Sequence, residues 1–349
     1  MITIPSKPIE AAPDIAKAIG IAFVVIGHVL RGLFSAEIIP QEGIWADVDR
    51  MIYLFHMPLF FYVSGLFFRS SVERQGAKPY IRKLMTTLLI PLVLWSYLQF
   101  SIQFMASAVV NGSTDLMNVL TAPLPPRQQF WFLGALFVLS AGFSFMAERR
   151  MSDKFYLIIA ALISCLLIVV WDPLYSFMRS DATLYLFGQI LVHAPFFIMG
   201  MIFGSEKIQK IHMSSILALC LFVLALVLYQ TVTIVPGAVF LSMSAVCVLS
   251  LYKICLNMAD KYAGNEGCLR VVTFIGMNSM IIYLGHIIVA AAFRIALNKL
   301  GVVDPAVHLV VGFTAGFVLP LILIPIGLYW AKFMPKTAQA VLPVRYKRG

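Results

Sequence analysis

Lys17-Ala-Ile-Gly-Ile-Ala-Phe-Val-Val-Ile-Gly-His28 is the stretch whose reading decides the fold. Between its two ionisable ends the residues are all apolar, so the run is a membrane helix with a polar group at each end. At 1.5 Å per residue the ends stand roughly 16 Å apart, about half the thickness of a bilayer core. One end therefore lies near a membrane surface and the other deep in the hydrocarbon. Ionisable groups at such depth are unfavourable and mark functional sites by default. The plain alternative is a histidine hydrogen-bonded inside a helix bundle, above a lysine that snorkels to the surface.

The rest of the chain reads the same way. It is 349 residues long, 61% hydrophobic and 12% charged, where a soluble domain is about 25% charged. Apolar runs of spanning length fall at approximately 15–34, 51–68, 84–110, 130–146, 155–171, 184–204, 213–230, 234–256, 274–297 and 307–330. The seventh and eighth are separated only by Thr231-Val232-Thr233 and read as two spans, not one broken element. The expectation is an all-α, polytopic membrane protein: one bundle of about ten helices, 1–349 as a single domain, both termini on the same side.

Charge identifies that side. With the N-terminus inside, the inner segments hold 20 of the 26 Lys and Arg, and the acidic residues split eight and eight. The inner face is thus about +12 and the outer about −2. This positive-inside pattern predicts cytosolic termini. It also accounts for the net charge of +10 without nucleic acid as a partner. The first apolar run is too long for a signal-peptide core and is expected to stay as an anchor. None of the five cysteines falls in an outer loop and none forms a Cys-x-x-Cys pair, so a structural disulfide is not expected.

The longest inner loop by this reading, 69–83, carries Arg69, Arg74, Lys78, Arg82 and Lys83 against one acid, Glu73. It suits anionic lipid and an anionic cytosolic ligand alike. The longest outer segments are 35–50 and 111–129. The second ends in Pro123-Leu-Pro-Pro-Arg127-Gln-Gln-Phe-Trp131. Arg127, the glutamines and Trp131 resemble a carbohydrate-contacting set, although Trp131 also fits an ordinary interfacial belt.

Depth arithmetic then gathers the histidines. Counted from the span boundaries, His28 lies ~20 Å, His56 ~22 Å, His286 ~18 Å and His193 ~16 Å above the inner boundary. His212 is an inner-loop residue and His308 begins the tenth span. Lipid-facing histidine is disfavoured, so the four should point into the bundle. Imidazole can act there as base, acid or nucleophile. No carboxylate lies at that depth and no His-x-x-x-His pair exists, so no metal is expected.

These residues carry a resemblance. Asp14-Ile-Ala-Lys17, with His28 after ten intervening residues, resembles the Arg/Lys-x10-His signature of the membrane acyltransferase-3 family. Phe55-His56-Met-Pro-Leu-Phe-Phe-Tyr-Val-Ser-Gly-Leu-Phe-Phe68 is similar to its second-span motif. Phe130-Trp131-Phe-Leu-Gly-Ala-Leu136 is similar to its fourth-span motif, and Gly276-Met-Asn278-Ser279-Met-Ile-Ile-Tyr283-Leu-Gly-His286 to its late-span motif. Lysine in place of arginine, after Asp14, looks most like the fucose 4-O-acetylase-like branch. The resemblance implies a ten-span enzyme of a bacterial plasma membrane that moves an acyl group, usually acetyl, from cytosolic acyl-coenzyme A to a sugar hydroxyl of a surface or exported glycan or glycolipid. By the same resemblance His28 is the catalytic histidine and Lys17 its basic partner near the donor. His56 and His286 match motif positions of less defined role. The stretch lacks the extra periplasmic domain or span that members often carry, so acceptor recognition is expected from the spans and outer loops.

The chemistry needs a base for the hydroxyl and a donor for the developing oxyanion. His28 suits the first; Asn278, Ser279 or a second histidine suits the second. Lys17, Arg69, Arg82 and Lys83 are candidates for the phosphates of acetyl-coenzyme A. Direct transfer and an acyl-histidine intermediate remain equally open. The rival class is a proton-coupled transporter or glycan-export factor using the buried histidines.

Overall fold

The structure, a computed structural model, describes residues 8–106, 115–232, 236–262, 266–334 and 341–342. Every regular element among them is helical. In chain order these are α1 (Pro8–Ser35), α2 (Ile44–Gln75), α3 (Ala77–Met105), α4 (Gln128–Glu148), α5 (Asp153–Ser180), α6 (Ala182–Ile202), α7 (Ser215–Thr231), α8 (Pro236–Lys261), α9 (Glu266–Met277), α10 (Ser279–Lys299) and α11 (Pro305–Phe333), with short helices at Leu116–Leu120 and Ser205–Gln209.

Nine of these are long and apolar enough to cross a bilayer, where the apolar runs suggest ten. The difference is α7, which stops at 17 residues, about 26 Å. Its neighbour α8 packs along it, with Cys247 Sγ lying 3.8 Å from the Phe222 carbonyl oxygen. The seventh and eighth runs are thus two helices, as expected. Side chains that start helices do so at the ends of the apolar runs. Ser152, Asp181, Ser214 and Asp304 each accept from backbone N–H groups of the first turn of α5, α6, α7 and α11. Such caps satisfy donors that have no carbonyl partner within the helix.

Other boundaries shift for physical reasons. The segment 69–83 is not a loop: α2 continues to Gln75 and α3 begins at Ala77. The only break is Gly76, whose φ of 81° is open to glycine and strained for other residues. There the chain is tied to α4 by the Ala77 N–H donating to Glu148 Oε1 at 3.1 Å. The outer segment 35–50 shortens because α2 begins at Ile44. Residues 111–114 of the other outer segment lie outside the described residues. The ninth run splits at Asn278. Its side chain donates to the Phe274 carbonyl oxygen at 2.9 Å, competing locally with the helical ladder.

Small residues set the closest approaches. A Cβ on Gly65 of α2 would overlap the Phe197 carbonyl of α6, and one on Gly200 would overlap the Tyr62 carbonyl. A Cβ on Gly276 of α9 would overlap the backbone of Asp14 on α1. Glycines that admit a neighbouring backbone are a main device of helix packing in lipid. Around this interior the surface is apolar: Leu162 and Val169 of α5 and Val310 of α11 are among many large side chains left exposed, as a lipid-facing shell requires.

Candidate functional site

Three of the four histidines placed at one depth do meet. The rings of His28 on α1 and His286 on α10 lie 5.0 Å apart between centroids. Tyr53 of α2 lies 6.4 Å from His28 and 4.5 Å from His56, linking the second helix to the same cluster. His193 on α6 stands apart, stacked at 4.7 Å on Phe61 and 5.2 Å from Trp131.

The backbone determines the tautomers of most of these rings. His56 Nδ1 lies 2.6 Å from the Ile52 carbonyl oxygen, His193 Nδ1 2.9 Å from that of Gln189, and His286 Nδ1 3.0 Å from that of Ile282. A carbonyl only accepts, so each Nδ1 carries the hydrogen and each Nε2 is left as a bare acceptor. His286 Nε2 is buried without a partner. His28 differs: it is only half-buried, and among the described residues it makes no hydrogen bond.

Two cavities meet at this ring. The narrower, about 170 Å³, is lined by aromatic and histidine side chains, including Tyr53, His56, Trp131, Tyr185 and Tyr283. The wider, about 550 Å³, reaches past Gln103, Asn118 and Arg294 to His308. His28, Arg31 and Gln128 line both. Arg31 follows His28 by three residues and so shares its face of α1. Its guanidinium carbon stacks 3.2 Å above the Tyr53 ring centre and its Nε donates to Asp49 at 3.1 Å. The polar wall comes from the first turn of α4. Gln129 Nε2 donates to Gln99 Oε1 at 2.6 Å, and the Tyr283 hydroxyl donates to the Gln129 carbonyl.

With that geometry established, the family can be stated. The sequence matches the acyltransferase-3 model, described as an acyltransferase domain, over residues 10–325. The chain belongs to the acyltransferase-3 family. Among curated proteins it is similar to the nodulation protein NolL of Mesorhizobium japonicum, 28% identical over 126 residues, 36% of this chain and 32% of the relative. It is also similar to the nodulation protein NolL of Sinorhizobium fredii, 25% identical over 196 residues, 55% of this chain and 48% of the relative. The chain thus matches about a third and about half of the length of these relatives. No solved structure matches it.

The remaining candidates of this acyltransferase-3 chain separate by level. Lys17 forms an ion pair with Asp14 at 2.5 Å, one turn before it, about 16 Å along α1 from His28. Asn278 and Ser279 belong to this lower level, eight and seven residues, or about 12 and 10 Å, before His286. Both are buried, and neither lines the two cavities. Arg69 is occupied by Asp153, which also accepts from Lys207 at 3.0 Å. Arg82 and Lys83 project exposed from α3 and have no carboxylate partner among the described residues. Trp131 lines the narrower cavity. Arg127 braces its own segment, donating to Asn118 Oδ1 at 2.7 Å and Thr121 Oγ1 at 3.2 Å. No group of three or more His, Cys, Asp or Glu among the described residues is arranged to hold a metal ion.

Sequence reasoning missed Arg31, Tyr53, Tyr283, Arg294 and His308. Two had a signal. Arg31 lies three residues after His28, and Tyr283 three before His286, the helical spacing that shares a face.

Proposed function

We propose that this protein is an O-acyltransferase of a bacterial plasma membrane, moving an acetyl group from acetyl-coenzyme A to a sugar hydroxyl of a surface or exported glycan. The observation that carries the reading is one unbonded histidine, His28, at the junction of two cavities inside the bundle. The family match and the two nodulation-protein relatives support it.

In this reading the narrower cavity takes the thioester end of the donor and the wider one takes the sugar. The neutral His28 ring accepts the hydroxyl proton while the sugar oxygen attacks the thioester carbonyl carbon. Arg31, held by Asp49 and stacked on Tyr53, supplies positive charge where the oxyanion develops. The carbon–sulfur bond then breaks, and the proton on His28 passes to the departing thiolate. At the inner end, Arg82 and Lys83 are the cations free to meet the phosphates of coenzyme A, with Lys17 beside its Asp14 partner. In this reading both termini lie in the cytosol, which the basic charge of the inner segments supports, and α7 serves as a tenth crossing.

Purified protein in lipid nanodiscs should release free thiol from acetyl-coenzyme A when acceptor glycan is present, and the glycan should gain the mass of one acetyl group. A transporter or export factor would do neither, and absence of both signals in folded protein overturns the proposal. For topology, a cysteine at Glu42 should react with an impermeant maleimide from outside the cell and one at Lys210 should not; the opposite pattern refutes the orientation.

A further inference from the structure

The wider cavity holds a cation that the proposed chemistry does not use. Arg294 sits on α10 five residues before Lys299, the last residue of the helix, about 8 Å along the axis. It does not reach outward along the helix, as a snorkelling arginine does. Its Nη1 donates to the Gly32 carbonyl oxygen of α1 at 2.6 Å. The guanidinium passes close to α1 there: a Cβ on Gly32 would lie in ordinary contact with it, 3.9 Å from Arg294 Nε. Two other arginines near the bundle's outer end are neutralised, Arg31 by Asp49 and Arg50 by Asp47. Among the described residues no carboxylate lies within ion-pair distance of Arg294.

A second group in the same cavity is also incomplete. His308 of α11 is 1% exposed and lines the cavity wall. Its Nε2 lies 2.8 Å from the Val302 carbonyl oxygen, so that nitrogen carries the hydrogen. Its Nδ1 is therefore a bare acceptor, buried without a partner. Burying an unsatisfied polar atom is unfavourable. Gln103 and Asn118 line the same cavity with neutral amides, bonded in part to Gln128 and Arg127.

We propose that the wider cavity is a subsite for an acceptor sugar that carries an anionic group, a carboxylate or a phosphate, bound by Arg294. The inference rests on the acyl-transfer reading of His28, which lines the same cavity. The complement is direct. Guanidinium takes anionic oxygens in a two-pronged hydrogen bond. The amides of Gln103 and Asn118 take the sugar's hydroxyls. A cavity of about 550 Å³ falls within the usual range for small-ligand sites. The shared chemistry is the anionic oxygen; its source is either an acidic sugar or the phosphate that joins a glycan to its carrier.

The test measures binding without donor, so it stands whether or not acyl transfer is detected. Wild-type protein in nanodiscs is titrated by calorimetry with a methyl glucoside, the matching methyl glucuronide and the glucoside carrying a phosphate monoester. At least one charged probe should bind about 10- to 100-fold more tightly than the neutral one, the range of a charge-assisted contact. Which charged probe is preferred distinguishes the two sources. Arg294→Gln should remove the preference and Arg294→Lys should keep most of it. If Arg294 is only a brace between α1 and α10, all probes bind alike and only stability falls in the variant. Equal affinities in wild type, no saturable binding of a charged probe up to roughly 10 mM, or a preference that survives Arg294→Gln overturns the proposal. Should Arg294→Gln fail to fold, the wild-type ranking decides.

Discussion

The two ends of α1 are built to opposite rules. Around His28 the helices stand apart, cavities open between them, and polar groups are left with unfilled hydrogen-bonding capacity. Around Lys17 the helices touch: the Asp14 backbone meets Gly276, Asn278 bonds back onto its own helix, and Lys17 pairs with Asp14. The first arrangement is poised for a ligand and the second is a packed joint with a charge at its rim. One helix thus combines an open, cavity-lined level and a packed level about 16 Å apart.

The sharpest test of this contrast is His28→Ala. Removing a general base lowers rate by about 10²–10⁴, while thermal melting of the purified protein should barely change because the ring makes no hydrogen bond. A folded variant that still transfers acetyl at more than about a tenth of the wild-type rate moves the base to His286 or His56.

Next in size is Lys17→Ala. If the lower level also greets the donor, acetyl-coenzyme A affinity measured by calorimetry should fall by roughly 10- to 100-fold, with the rate at saturating donor little altered. Unchanged affinity would make the Lys17–Asp14 pair purely structural and leave Arg82 and Lys83 as the phosphate site.

Gly276→Val probes the joint itself. A side chain there collides with the Asp14 backbone. Overpacking of this kind destabilises by about 1–3 kcal/mol. The variant should melt early in detergent while retaining its donor affinity in the folded fraction. A melting temperature equal to wild type would show that α1 and α9 are not pressed together.

The smallest expected effect is His193→Gln. Residue counting puts His193 near the depth of the cluster, yet it packs on Phe61 and Trp131 and not on His28. Transfer rate should stay within about threefold of wild type, under 1 kcal/mol. A loss beyond about tenfold would place His193 inside the reactive group after all.

His193 also shows how far sequence reading reaches. Depth along a helix follows from counting residues, so four histidines fell at one level. Which of them meet depends on how each helix is rotated about its axis, and rotation is set by partners such as the Gly65–Gly200 contact. Arg31 and Arg294 read as outer-segment charges because hydropathy treats a charge near a span end as a boundary. Both instead turn into the cavity. The loop at 69–83 misled for a related reason: basic residues look like a loop to a hydropathy count but are good helix formers in water.

By itself the sequence determined the class of protein, the number and order of its apolar runs, the segregation of basic charge and the four motifs that mark the family. All of these are properties of composition and spacing along one chain. The tertiary structure alone decided that Tyr53 stands between His28 and His56, that His286 meets His28, and that His193 packs on Phe61 and Trp131 instead. It also placed the helix break at Asn278 and left His28 between two cavities, the wider one lined by an arginine with no carboxylate partner among the described residues. The physical reason is that lipid offers no hydrophobic preference between helix faces, so glycine contacts, backbone hydrogen bonds and ring packing orient each helix, and those partners lie far apart in sequence.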